Sequence, residues 1–380
     1  MEKQIYLDNA STTKVAENVV FAMNEFLKND YGNPSSKHSL GKNSRKKIEE
    51  AREKISKFIG AKPSEIIFTS GGTESNNLAI KGLAKSNLEK KHIITSVIEH
   101  KSVLEVCSGL EKEGYEVDYV GVNFEGIVNI EEIKEKIRED TLVVSIMYVN
   151  NEIGTVQPIE EISKICKEKK VYFHSDVVQA FAKLELDVSK IKIDLLGVSA
   201  HKIHGPKGVG FLYVRQGLKI NSLIDGGGQE NGLRSGTENT CGIIGMAAAL
   251  DVKLDSKKIE SNRDKIIEDI LKIPKSRLNG SKEMRIFNNI NVSFYGIEGG
   301  ALVSYLDKLG IYISTGSACT SSGLGESHVL KAIGVESMYI HGSIRISIEE
   351  IEEEDLKYVL TKIKEGVNRL REISPFKMEE

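Results

Sequence analysis

The chain has 380 residues, of which 40% are hydrophobic and 28% are charged, and its formal net charge is -3. This length predicts two or three domains, and the near-neutral charge gives no reason to expect nucleic acid as a main partner. The first residues are polar, and no apolar run approaches the ~18 residues of a membrane span, so we expect a cytoplasmic protein without a signal peptide.

Short runs rich in Val and Ile alternate with amphipathic patterns through the first 255 residues. Such runs, without polar alternation, are typical of parallel strands covered on both faces. They are SEIIFTS, HIITSVI, TLVVSIMYV, KVYFHSD, IDLLGVSA and GVGFLYV. A helix that precedes the first run has Ile48, Ala51, Ile55 and Phe58 on its apolar face and stops at Gly60. The alternation predicts an α/β fold with a mostly parallel sheet.

The pattern changes after about residue 255. A Lys-rich helix is followed by a shorter set of strands and helices. The last helix has one apolar face, made of Leu356, Val359, Leu360, Ile363, Val367 and Leu370. We therefore expect a domain boundary near residue 255.

Three motifs contain residues that are suited to bind a ligand or to take part in catalysis. FTSGGTESNNLAIKG predicts a strand, a Gly turn and a helix start, where Gly72 and Thr73 would face an anion. HSDVVQAF places Asp176 at the end of a predicted strand, where ligand crevices open in α/β proteins. SAHKIHGPKG places Lys202 on a loop, where partial desolvation favours an amine nucleophile. Each feature also has an ordinary alternative: the Gly turn and Asp176 could simply cap a helix, and Lys202 could be a surface lysine. The pair His201-x-x-His204 has no third metal ligand nearby, so a metal site is disfavoured.

The three motifs together fit one cofactor. Pyridoxal phosphate needs an anion site for its phosphate, a carboxylate for its ring nitrogen and a lysine for its aldehyde. The chain offers Gly72 and Thr73, then Asp176, and then Lys202, which is 26 residues further on. The ordered set is more specific than any of its members.

The four cysteines divide into two groups. Cys107, Cys166 and Cys241 lie in apolar helical patterns and are predicted to be packing residues. Cys319 lies in STGSACTSSG, where no neighbour is large enough to bury it. An accidental cysteine, a disulfide partner, a metal ligand and a nucleophile are all open at this point, although a reducing compartment disfavours a disulfide.

Over nearly its whole length the chain resembles the cysteine desulfurases, which are pyridoxal-phosphate enzymes of aminotransferase fold type I. The resemblance is carried by YLDNASTT, YGNPSS, GGTESNN, EHKSVL, VNNEIGTVQPI, SAHKIHGPKG, RSGTEN and GSACTS. It implies a large cofactor-binding domain over residues 12–255, with a seven-stranded, mostly parallel sheet. It also implies a smaller α/β domain, formed by residues 1–11 and 256–380, that carries the catalytic cysteine loop.

The resemblance also implies a role for each site residue. Lys202 would bond to the cofactor and move protons, His100 would stack on the cofactor ring, and Cys319 would be the nucleophile. The implied cofactor contacts are Gly72, Thr73, Asn151, Asp176, Gln179, Ser199, His201, Lys202 and, from the partner subunit of a homodimer, Thr237. Asn151 and Arg345 would position the substrate. No metal site is expected, apart from Cys319 as a candidate for a transient iron–sulfur ligand.

The implied reaction converts L-cysteine to L-alanine and leaves the sulfur on Cys319 as a persulfide. The GSACTS form resembles the branch that hands sulfur directly to an iron–sulfur scaffold, and other acceptor proteins would serve cluster assembly or tRNA thiolation. A selenocysteine lyase and a sulfur-carrier or assembly platform are the alternatives. An aminotransferase is disfavoured because it needs no loop cysteine. We expect no direct nucleic-acid or membrane contact.

Overall fold

The computed structural model describes residues 4–316 and 326–375 of the chain. Its strands are β1 (Ile5–Tyr6), β2 (Ile66–Thr69), β3 (His92–Ser96), β4 (Glu116–Val120), β5 (Thr141–Ser145), β6 (Tyr172–Asp176), β7 (Leu195–Ser199), β8 (Gly210–Val214), β9 (Ser276–Leu278), β10 (Asn289–Phe294), β11 (Ile311–Tyr312), β12 (Ser314–Thr315) and β13 (Ser343–Ser347). Its α-helices are α1 (Glu17–Asn29), α2 (Ser39–Phe58), α3 (Gly72–Ser86), α4 (Lys101–Lys112), α5 (Ile130–Lys136), α6 (Ile159–Lys169), α7 (Thr240–Ala249), α8 (Ser256–Leu271), α9 (Gly299–Asp307), α10 (His328–Ala332), α11 (Ser337–His341) and α12 (Glu353–Ile373). Short 3₁₀ helices cover Pro63–Glu65, Ala200–Lys202 and Glu230–Gly232.

The large sheet has seven strands in the order β2-β8-β7-β6-β5-β3-β4. Strand β8 is antiparallel to both of its neighbours, and the other pairs are parallel. Strands β2, β3, β5, β7 and β8 are buried along their whole length. The prediction of a mostly parallel sheet, with strands covered on both faces, is confirmed.

Two local predictions need correction. Phe58 was expected on the buried face of α2, but its side chain is 44% exposed. Helix α2 ends at this residue, and Ile59 takes the buried position while Gly60 turns the chain with a φ of 69°. Strand β4 was absent from the predicted strands, because Glu116 and Asp118 are residue types that strands disfavour. At this edge of the sheet the two carboxylates instead pair with Arg138 and with Lys136.

A second sheet lies in the last third of the chain. It is antiparallel and has the strand order β12-β13-β10-β9. Strand β1 pairs with β11, and Asp8 forms a bridge with Ser347 of β13. The N-terminal residues therefore lie beside the second sheet in space. The division into residues 12–255 and residues 1–11 with 256–380 stays a prediction.

Two of the three described cysteines agree with the prediction of buried packing residues. Cys107 and Cys166 are buried free thiols, whereas Cys241 is only partly buried and its thiol lies 3.8 Å from the carbonyl oxygen of Met23. Among the described residues, no helix combines the length and the apolar character that crossing a membrane requires. Cys319 lies outside the described residues.

Candidate active site

The site lies where the parallel strands end. Because β2, β3, β5, β6 and β7 run in the same direction, the segments that follow them meet at one edge of the sheet. Each of these ends supplies a residue to one cavity, namely Gly72 after β2, His100 after β3, Met147 after β5, Asp176 from β6 and Ser199 from β7. The direction of the strands thus brings together residues that are far apart in the sequence.

The cavity has a volume of about 360 Å³. It contains every predicted site residue of the described chain except Thr237. Its lining residues are Ala10, Ser11, Gly72, Thr73, His100, Ser102, Met147, Val149, Asn151, Asp176, Val178, Gln179, Ser199, His201, Lys202 and Arg345. Among the described residues, no cluster of three or more His, Cys, Asp or Glu side chains could hold a metal ion.

The Asp176 carboxylate is buried and tightly held. One oxygen accepts a hydrogen bond from Asn76 Nδ2 at 2.7 Å, and the other accepts one from the backbone N–H of Val178 at 2.9 Å. Two fixed donors hold the carboxylate group in place without neutralising it. A buried carboxylate of this kind is suited to bind a protonated ring nitrogen.

Lys202 approaches the cavity from the 3₁₀ turn that follows β7. Its Nζ donates to the carbonyl oxygens of Ala10 at 2.6 Å and Ser11 at 2.5 Å. Gln179 Nε2 also donates to the Ala10 carbonyl, at 2.9 Å. The motif YLDNASTT therefore contributes backbone acceptors that orient the amine in the cavity.

One end of the cavity is built to hold an anion. Helix α3 begins at Gly72, and its N-cap Gly71 has no side chain that could occupy the N–H groups of the first turn. A Cβ at Gly72 would lie 2.6 Å from Val178 Cγ2, so any larger residue here would require the Val178 side chain to move. Burial and nearby lysines lower the pKa of His201 to about 4, and its ring is therefore neutral at pH 7. Ser199 and neutral His201 add side-chain donors beside the helix end.

Arg345 comes from the middle of β13 in the second sheet, and its side chain is buried. Its guanidinium donates to Asp8 Oδ1 at 2.9 Å, to Ser11 Oγ at 2.6 Å and to the Asn151 carbonyl at 2.9 Å. Its Nε–H is buried and has no hydrogen-bond partner among the described residues. A buried donor without a partner is costly, and a ligand carboxylate would satisfy it.

His100 forms the N-cap of α4. Its Nδ1 accepts a hydrogen bond from the backbone N–H of Ser102 at 3.1 Å and lies 2.8 Å from Ser102 Oγ. Burial lowers the pKa of His100; Lys202 and Lys101 lower it further, while Asp176 opposes them. The ring is therefore neutral at pH 7 and firmly oriented.

Thr237 does not line this cavity. It is exposed, and ion pairs hold the segment around it against the rest of the chain. Glu230 makes a buried bidentate pair with Arg52, at 2.7 and 2.8 Å. Further pairs join Arg234 to Glu74 and Glu238 to Arg45. That Thr237 acts on the cavity of a partner subunit stays a prediction.

The sequence prediction assigned no role to several residues that line the cavity or contact its lining. Ala10 and Ser11 lie in YLDNASTT, Asn76 lies in GGTESNN and Ser102 lies in EHKSVL. These motifs were recognised as parts of a resemblance, which was the available signal. The spacing of the motifs along the sequence does not predict which of their side chains contact each other in the folded chain.

Comparisons with known proteins agree with this geometry. A model of the family "aminotransferase class-V" matches residues 5–359. The cysteine desulfurase IscS of Dictyoglomus turgidum is 50% identical over 387 residues, covering 100% of this chain and 98% of the relative. The cysteine desulfurase IscS of Methanosarcina thermophila is 49% identical, covering 98% of this chain and 94% of the relative. The chain belongs to the cysteine desulfurases of the class-V aminotransferase family.

Solved structures of cysteine desulfurase relatives share the fold. A NifS-like protein is 40% identical, with a TM-score of 0.91, and 97% of this chain and 100% of that chain are covered. SspA in complex with cysteine is 39% identical, with a TM-score of 0.82, and 91% of this chain and 99% of that chain are covered. The predicted family and fold class are confirmed.

Pyridoxal phosphate, the cofactor on which this family depends, fits the cavity. The buried Asp176 carboxylate, the Lys202 amine and the uncapped start of α3 are the three kinds of group that its ring nitrogen, aldehyde and phosphate require. All three belong to the lining of one cavity. The predicted cofactor is confirmed.

Proposed function

We propose a division of labour among the cavity residues by which this cysteine desulfurase converts L-cysteine to L-alanine and moves the sulfur to Cys319. The observation that carries the proposal is the convergence of Asp176, Lys202 and Arg345 on one cavity beside a helix N-terminus. The relatives named cysteine desulfurase, and the related structure with bound cysteine, support the choice of substrate.

Pyridoxal phosphate, when bound, withdraws electrons from the substrate and so weakens the bonds at its α and β carbons. Asp176 would hold a proton on the ring nitrogen, and Gln179 would contact the ring hydroxyl. Lys202 would retain the cofactor through its amine and move a proton at the substrate α carbon. Gly72 and Thr73 would bind the phosphate through their backbone N–H groups.

Arg345 and Asn151 orient the substrate. The Arg345 guanidinium is fixed by Asp8, Ser11 and the Asn151 carbonyl, and its Nε–H is left to bind the substrate α-carboxylate.

Cys319 accepts the sulfur. Its thiolate attacks the substrate sulfur as the bond between that sulfur and the β carbon breaks, and the electron pair of that bond ends as a C–H bond of alanine. The sum is L-cysteine plus the Cys319 thiol giving L-alanine plus the Cys319 persulfide, with no external oxidant. The persulfide then passes its sulfur to an acceptor protein, of which an iron–sulfur scaffold is our first choice and a tRNA-thiolation partner our second. A persulfide that must turn over needs reducing surroundings, so we place the protein in the cytoplasm.

The functional unit that we propose is a homodimer. Val20, Phe21 and Leu27 of α1, with the adjacent Tyr31, form an exposed apolar stripe. Exposed apolar clusters of this kind mark interfaces. A second copy would cover the stripe, and Thr237 of each protomer would then reach the phosphate site of its partner.

The test is release of alanine and sulfide from L-cysteine in the presence of reductant, with the Cys319→Ser variant beside the wild type. The wild type is expected to release the two products in equal amounts, and the variant almost none of either. A wild type that acts on selenocysteine but not on cysteine would identify a selenocysteine lyase. Inactivity on both amino acids would favour the alternative of a sulfur-carrier or assembly platform.

A further inference from the structure

Asn76 and Ser102 connect two residues of the site. Asn76, on α3, is fully buried, and its Nδ2 donates to Asp176 Oδ2 at 2.7 Å and to Ser102 Oγ at 2.8 Å. Ser102 Oγ in turn lies 2.8 Å from His100 Nδ1. Three hydrogen bonds thus join the Asp176 carboxylate to the His100 ring.

The groups at the two ends of this series of hydrogen bonds determine which atom donates and which accepts in each bond. An ionised carboxylate only accepts, so both hydrogens of the Asn76 amide nitrogen are used in donating to Asp176 and Ser102. At the other end, the backbone N–H of Ser102 can only donate, and it points to His100 Nδ1 at 3.1 Å. Nδ1 is therefore an acceptor, and the Ser102 hydroxyl gives its hydrogen to the same atom.

The reverse orientation of the Asn76 amide is excluded. It would place Oδ1 against the Asp176 carboxylate, acceptor against acceptor, at 2.7 Å. The charge of the Asp176 carboxylate therefore sets the orientation of the amide.

A neutral imidazole whose Nδ1 accepts must carry its proton on Nε2. We propose that Asn76 and Ser102 are positioning residues that hold His100 in this tautomer, so that it donates a hydrogen bond into the cavity instead of taking up a proton there. The inference rests on the proposed function, since it specifies the form in which His100 meets cofactor and substrate. An amide cannot pass a proton on, so the chain of hydrogen bonds orients His100 without conducting protons to it.

The direct test is nuclear magnetic resonance of the holoenzyme labelled with ¹⁵N-histidine. The His100 signals are identified by their loss in the His100→Gln variant. We expect Nδ1 at the chemical shift of an unprotonated nitrogen and Nε2 at that of a protonated one at pH 7. A wild-type spectrum with the proton on Nδ1, or on both nitrogens, would overturn the proposal.

Variants of Ser102 provide the second test. Ser102→Ala is expected to give a mixture of His100 tautomers and to lower kcat about three- to tenfold with an unchanged KM for cysteine, the effect of losing one orienting hydrogen bond. Ser102→Thr keeps the hydroxyl and should restore both the tautomer and kcat. The matched control is Ser108→Ala, on the same helix but away from the cavity lining, which should behave as the wild type.

The outcomes separate the two proposals. A Ser102→Ala enzyme with the wild-type tautomer and kcat would overturn the positioning role. Equal losses in Ser102→Ala and Ser102→Thr would assign the effect to packing and also overturn it. The tautomer is read without turnover, so a wild type that releases no alanine would defeat the proposed function while leaving this result intact.

Discussion

At the scale of single residues, the cations of the site are held by acceptors from the N-terminal segment. Lys202 donates to two backbone carbonyls, and Arg345 donates to Asp8 and Ser11. These partners fix the directions of the two side chains before any ligand binds. Preorganisation of this kind means that substrate binding need not order the cations first.

Replacing Arg345 by Lys tests the carboxylate role directly. Lysine keeps the charge but not the planar fork, so we expect the KM for cysteine to rise about tenfold or more and kcat to fall less. Steady-state kinetics of alanine release will measure both, with Arg277→Lys on β9 of the same sheet as the control. Identical KM values for the two variants would remove Arg345 from substrate binding.

The predicted site residues share a property that made them accessible to sequence reasoning. Asp176 ends a buried strand, Gly72 begins a helix after a Gly turn, and Lys202 follows a strand on a Gly-rich loop. Asn76 and Ser102 follow no such rule, because their importance depends on partners up to 100 residues away. Residue spacing predicts local structure, and contacts at this separation arise only when the sheet is assembled.

At the scale of secondary-structure elements, α10 makes hydrogen bonds to two segments of the cavity wall, one that contains His100 and one that contains Asn151. Ser327, the N-cap of α10, donates to Glu152 Oε2 at 2.5 Å, and His328 Nε2 lies 3.1 Å from the carbonyl oxygen of Glu99. An apolar cluster that includes Ile98, Ile153 and Val329 fills the space between them. The short helix therefore has firm contacts with the cavity wall.

The attachment of α10 should depend on pH through Glu152. Burial raises the pKa of this carboxyl from 4.5 to about 7, against the opposing effects of Ser327, Arg345 and Lys101. The unfolded chain loses its proton near pH 4.5 while the folded protein keeps it until about pH 7, so stability falls as pH rises through that interval. Burial also raises the pKa of Glu99, to about 8, so the titration of Glu99 likewise lowers stability as pH rises.

Glu152→Gln removes one of these titrations and can still accept the hydrogen bond from Ser327. The variant should match the wild type near pH 5 and exceed it near pH 8, by up to about 3 kcal/mol of unfolding free energy. Thermal unfolding at the two pH values measures the difference, and Glu283→Gln at an exposed position is the control. An advantage of equal size at both pH values would contradict the titration argument.

The element pattern shows where prediction from sequence ends. Buried runs predicted the central strands, but the same pattern could not reveal that β8 runs against its neighbours, because burial does not encode direction. The edge strand β4 was missed because its carboxylates depend on Arg138 and Lys136, which lie on later segments. Strand β2, at the other edge of the sheet, is fully buried and was predicted from its apolar run. Buried strands are therefore specified locally, whereas the half-exposed strand β4 is specified by its partners.

At the scale of the whole molecule, two sheets supply the walls of one cavity. The large sheet provides Asp176 and the start of α3, and the second sheet provides Arg345. The N-terminal segment joins them. On the second sheet, Ser347 N–H donates to the Leu7 carbonyl at 2.7 Å and the Ser347 carbonyl accepts from Asn9 N–H at 3.3 Å. On the other side, Thr13 N–H donates to the His201 carbonyl at 2.9 Å. The proposed cofactor and substrate contacts therefore come from different sheets, and the N-terminal segment contacts both sheets.

We propose that the remaining part of the site lies on a second copy of the chain, and α1 provides the test. Phe21 is 69% exposed within the apolar stripe, whereas Phe124 is 75% exposed on a turn outside it. Phe21→Glu should convert a dimer into a monomer, since a charge there would have to be buried against the partner's stripe. Phe124→Glu is matched in chemistry and exposure and should leave the dimer intact.

Size-exclusion chromatography with light scattering will give the mass of each form, and titration with pyridoxal phosphate will give its affinity. If Thr237 reaches across the interface, the Phe21→Glu monomer should bind the cofactor more weakly than the wild type, and Thr237→Ala should weaken binding while remaining a dimer. Loss of one hydrogen bond to a phosphate lowers affinity about tenfold. A wild-type monomer with full cofactor affinity would instead mean that each chain completes its own site.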